Sequence, residues 1–105
     1  MSEPAPSRVP YKVIYSGRVL DEAKKLLAKA TAAGFGRQAL DALKQIHTRL
    51  CIYPQFGEPL RDLSVVGETL WAGTVPPLVV QYIIDEERRT VFVVRPLRAL
   101  PGSGF

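Results

Sequence analysis

The chain has 105 residues, 47% hydrophobic and 23% charged, with a formal net charge of +4. That is the size and balance of one soluble globular domain, with no apolar run near the ~18 residues that cross a membrane. A single cysteine, Cys51, excludes an internal disulfide. With one histidine, His47, beside it, the chain falls short of the three or four ligands a metal site of that kind needs.

Residues 1–10 hold three prolines and little apolar material, the composition of a disordered tail. They have no apolar segment after their charges, so they do not read as a secretory signal, and a cytoplasmic location is expected. Val9, Tyr11, Val13 and Tyr15 alternate onto one face and predict a first strand, which Ser16-Gly17 ends. Ser16 can cap a helix over 18–33, whose stripe is Val19, Leu20, Ala23, Leu26, Leu27 and Ala30. Asp21 and Glu22 are placed in its first turn and Lys29 near its last, as the helix dipole favours. Gly34 stops it, and a second helix over 37–52 buries Ala39, Leu40, Leu43, Ile46, His47 and Leu50 before Pro54. The short link makes the two an antiparallel hairpin.

A loop is expected over 53–67, then strands over 68–75, 78–84 and 90–95. Leu78-Val-Val-Gln-Tyr-Ile-Ile84 is apolar on both faces and should be central. Pro76-Pro77 and the charged run 85–89 are tight connections, so the last three strands form an antiparallel meander. The fold class is α+β, in the order β-α-α-β-β-β, with a helical hairpin on a mainly antiparallel sheet. Residues 11–98 form the domain, and 99–105 a loose tail.

No phosphate-cradling glycine loop or nucleophile elbow occurs, and no cofactor is called for. The basic balance favours an anionic partner. Trp71 and Tyr82 offer base-stacking platforms, against the commoner use of such aromatics in packing.

Tyr53-Pro-Gln-Phe-Gly-Glu-Pro-Leu-Arg-Asp-Leu63, then Leu70-Trp71, then Tyr82 near the end of the central strand, resembles the RelE/ParE toxin superfamily in order and spacing. The resemblance implies the toxin of a type II toxin–antitoxin pair, neutralised by a cognate antitoxin. Its target would be mRNA, cut without a metal and commonly on the ribosome, or DNA gyrase. The alternative is a non-catalytic relative that binds a protein on the same scaffold.

Cleavage by a 2′-hydroxyl needs a proton acceptor, a proton donor and cations around the phosphate. Positions that are basic in the family fall on Ala72, Thr74 and Val79. Arg61, Arg95 and Arg98 remain as the candidate catalytic residues. Arginine suits phosphate contact but stays protonated and accepts a proton poorly. Arg61 can instead pair with Asp62 or Glu58, and Arg95 can close the inward face of its strand. The lost cations tilt the expectation toward a gyrase-inhibitor-like or attenuated member.

Overall fold

Apolar periodicity divides the chain into elements in the order β1 (Lys12–Tyr15), α1 (Gly17–Ala32), α2 (Gly36–Ile52), a 3-10 turn (Pro54–Phe56), β2 (Glu58–Val65), β3 (Glu68–Val75), β4 (Leu78–Asp85), β5 (Thr90–Val93) and β6 (Arg98–Ala99). The computed structural model describes residues 9–65 and 68–105, and at 61–65 the backbone alone. The expected N-terminal tail, 1–10, lies largely outside the described residues.

The sheet order is β1-β5-β4-β3-β2, with β6 paired to β4 beyond the end of β5. β4 is central, as its two apolar faces require. β2, β3, β4 and β5 run antiparallel to their neighbours, and β1 pairs with β5 in parallel. The sheet is therefore mixed but mainly antiparallel, as expected.

The loop expected over 53–67 is a correction. Glu58–Val65 is an edge strand with a register break between Leu60 and Ser64. Its Pro59 and Gly57 hid a strand that the ladder to β3 supplies. The tail over 99–105, expected to be loose, is tied down. Ala99 pairs with Leu78, the Leu100 N–H donates to Pro77 O at 2.8 Å, and Phe105 packs toward the core.

Ser16 caps α1: its Oγ accepts from the Val19 N–H at 3.1 Å, a contact worth about 1 kcal/mol. The helix begins at Gly17, so Asp21 falls just past its first turn. It ends through Gly34 at φ 89, where Phe35 N–H donates to Ala30 O and Gly34 N–H to Thr31 O.

α2 turns most of the expected stripe inward, with Ala42 added and Leu40 and His47 left out. Ala39, Ala42, Ile46 and Leu50 are buried, Leu43 is half-buried, and Leu40 and His47 are exposed. Ala42 lies in the core cluster, and Leu40 faces outward. On α1, Val19 and Ala30 are buried, and Leu20 is likewise exposed.

The core lies between this hairpin and one face of the sheet. Val75, Leu78, Val80, Tyr82, Val91 and Val93 supply the sheet's share. Each large apolar side chain buried there contributes roughly 1.5–3 kcal/mol.

Candidate functional site: the open face of the sheet

Alternation along a strand sends successive side chains to opposite faces. With Tyr82, Val80 and Leu78 facing the helices, Val79, Gln81 and Ile83 of β4 face the other way. Register then places Ala72 opposite Gln81, Thr74 opposite Val79, and Phe92 opposite Ile83 and Ile14. Leu60 pairs with Leu70 on the same side. An apolar band thus crosses the sheet from Leu60 and Leu70 through Ile83 and Phe92 to Ile14. Leu70 and Ile83 are buried within this face, whereas Ala72, Val79, Gln81 and Phe92 are half-exposed and Thr74 is exposed.

One polar group in the band is unmatched. Gln81 Oε1 is buried and, among the described residues, has no hydrogen-bond partner. Such an acceptor costs free energy until a donor meets it.

The backbone positions of Arg61 and Arg98 lie well apart on the sheet. Arg98 is exposed on β6, opposite Val79. Arg61 lies in the register break of β2, after the residue opposite Leu70, and its side chain lies outside the described ones. Four residues of strand and three strand spacings separate them, roughly 20 Å along the diagonal by ordinary sheet dimensions. Arg95 is a correction. β5 stops at Val93, and Arg95 is an exposed residue in a bend rather than the end of an inward face. Pro96 has no N–H to continue the ladder, and the buried Leu97 takes the inward place.

The aromatic residues resolve as packing. Tyr82 is fully buried, stacked between Phe56 at 6.1 Å and Trp71 at 6.4 Å. Its hydroxyl donates to Pro54 O at 2.6 Å, and burial pushes its pKa upward. Phe56 packs on Gly73, where a Cβ would meet its ring at 2.5 Å, and Arg49 lies over the ring's outer side at 5.5 Å. The stack pins the 3-10 turn to the helix-facing side of the sheet, away from the open face.

His47 and Cys51 do share a face of α2. Cys51 Sγ is 3.6 Å from His47 Nε2, and Tyr15 OH shares a 2.7 Å hydrogen bond with His47 Nδ1. Burial pushes the Cys51 thiol up, and burial followed by the nearby Cys51 pushes Tyr15 up to about 12. Both hold their protons at neutral pH, so the cluster supplies no activated nucleophile. Among the described residues no group of three or more His, Cys, Asp or Glu is placed to hold a metal ion, and no helix is long and apolar enough to cross a membrane.

The band itself was hidden in the sequence. A strand apolar on both sides does not declare which side a helix covers, and Leu60 belonged to a segment read as loop. The alternation of Ile14, Phe92 and Ile83 was the available signal, usable only once the strand order was known.

No protein-family model and no curated protein matches the sequence. In structure, the chain is similar to a chain of the toxin–antitoxin complex RelBE2 from Mycobacterium tuberculosis. The TM-score is 0.54 at 20% sequence identity, covering 89% of this chain and 94% of that one. At that identity the likeness is one of architecture: two helices on a mixed, mainly antiparallel sheet, the RelE fold.

Proposed function

We propose that this chain is the toxin of a toxin–antitoxin pair, restrained by a cognate antitoxin, and that it acts by gripping a protein target such as DNA gyrase rather than by cutting RNA. The observation that carries this reading is the chemistry of the open face. Ala72, Thr74 and Val79, where the resemblance would put cations, are uncharged on this face, and Ile83 and Phe92 beside them are apolar. An apolar centre suits a protein partner.

The fold likeness to a protein from a toxin–antitoxin complex supports the antitoxin part of the reading. The uncharged residues at Ala72, Thr74 and Val79 also support the part against cleavage, since they leave the face without the cations a phosphate needs.

The test is induced expression in a bacterial host, with and without the protein encoded beside it. Growth should stop, ribosome-bound mRNA should stay intact, and co-expression of the neighbour should restore growth. Harmless expression would overturn the toxin reading. Cleavage of ribosome-bound mRNA that disappears in Arg98→Ala would overturn the non-cleaving part and install the mRNA-directed alternative.

A further inference from the structure

The cluster of Tyr15, His47 and Cys51 has no part in the sheet's open face. It lies on the helix side at the sheet's margin, because β1 is an edge strand and Tyr15 reaches from it to α2. Residues four apart on a helix share a face, so His47 and Cys51 stand side by side, one turn apart. His47 is exposed and Cys51 half-buried, so the pair opens outward.

Their spacing is that of two ligands on one metal ion. Cys51 Sγ is 3.6 Å from His47 Nε2. Zinc holds a thiolate at ~2.3 Å and an imidazole nitrogen at ~2.0 Å, and a tetrahedral angle between those bonds sets sulfur and nitrogen ~3.5 Å apart. The ring is also held as a ligand's ring is held. A metal-bound histidine commonly gives its second nitrogen to an oxygen that fixes its orientation. Tyr15 OH shares its 2.7 Å hydrogen bond with His47 Nδ1, which leaves Nε2 for the metal.

Two donors do not fill a tetrahedron, and among the described residues no third His, Cys, Asp or Glu joins them. A second copy of the chain supplies what is missing. A twofold axis through the ion brings in the same pair again, making a set of two cysteines and two histidines. The surroundings suit such a contact. Ile52 and Tyr53, directly after Cys51, are 63% and 58% exposed. The Tyr11 N–H donates to Cys51 O at 2.7 Å, which brings the chain near Val9, 66% exposed, to the same end of α2. A second copy would cover this apolar fringe.

We propose that His47 and Cys51 of two copies clasp one tetrahedral, thiophilic divalent ion such as zinc and so join the chains into a dimer. Two thiols release their protons to solvent as two metal–sulfur and two metal–nitrogen bonds form, with no electron transferred. The contact does not depend on what the open face grips.

The experiment takes the untagged full chain with a phosphine reductant, so that no Cys51 disulfide forms, and follows its mass by size-exclusion chromatography with light scattering. Zinc should convert monomer to dimer, complete at one ion per two chains, and a chelator should reverse it. Cobalt(II) in place of zinc should give the intense visible bands of a tetrahedral site with thiolate ligands. Cys51→Ser and His47→Gln should each abolish the dimer. Tyr15→Phe keeps both ligands and should weaken zinc binding about tenfold or more. Val79→Glu, on the open face, should change nothing. His47→Gln, at an exposed position, should melt with the metal-free parent, which separates a lost ligand from a lost fold. A chain that stays monomeric with zinc or binds it one to one would overturn the proposal. So would a dimer that persists in chelator, or one that forms equally in Cys51→Ser and His47→Gln.

Discussion

Replacing Tyr82 by Phe separates a packing role from a chemical one. The hydroxyl is fully buried and donates to Pro54 O at 2.6 Å, and Pro54 is itself buried. The change leaves the ring stacked between Phe56 and Trp71 and removes only the donor. A net hydrogen bond is worth about 0.5–1.5 kcal/mol, and stranding a buried acceptor raises the cost to about 1–3 kcal/mol. The expected loss is therefore about 2 kcal/mol. For a domain of this size that lowers the melting temperature by roughly 10 °C, and with an m-value of ~1–2 kcal/mol/M it moves the urea midpoint by ~1–2 M. Equilibrium urea unfolding of parent and variant, followed by circular dichroism, measures it. The biological readout, growth arrest on expression, should persist wherever the variant is folded. A stability change below ~0.5 kcal/mol would refute the packing argument. Loss of arrest at full stability would return Tyr82 to the functional site.

The inward face of α2 makes a paired prediction. Ile46→Ala, at a buried position, should cost about 2–5 kcal/mol in urea unfolding, and Leu40→Ala less than ~0.5 kcal/mol. The reverse order would mean the helix is rolled from the position described. Alkaline stability gives another. Tyr15 sits at about 12 in the folded chain, against ~10 for a free tyrosine, so the folded state keeps its proton longer. Its contribution is complete below pH ~10 and is lost as the pH climbs from ~10 through ~12; Tyr82, also raised by burial, acts in the same direction. Urea midpoints should fall over that window, less steeply in Tyr15→Phe. A flat profile from pH ~10 to ~12 would contradict the burial of these hydroxyls.

Most of the architecture could be read from local patterns because each was backed by a strong local device. The Ser16 cap, the Gly34 stop and the Pro54 break bound the two helices, and alternation in β1 and a doubly apolar β4 set two strands. What escaped depended on tertiary pairing. Residues 58–65 look like loop by composition and are strand because β3 lies beside them. Leu20 and Leu40 fit a helical stripe yet face solvent, because periodicity gives a stripe's existence more firmly than its angle to the sheet. The site was least accessible. Arg61, Arg95 and Arg98 were chosen for the chemistry of a guanidinium, but their backbone positions depend on the register break in β2 and the interruption at Pro96. The band through Ile83 and Phe92 needed the strand order, which no single segment encodes.

The most direct test compares growth on induced expression of the parent chain, Val79→Glu and Arg98→Ala, each checked for an unchanged fold by thermal melting. A carboxylate at Val79 lands in the half-exposed centre of the open face, while Arg98→Ala removes the best-placed cation at its margin. Action through the apolar face predicts arrest by the parent and by Arg98→Ala, and escape by Val79→Glu. Arrest that survives Val79→Glu and vanishes in Arg98→Ala would contradict it.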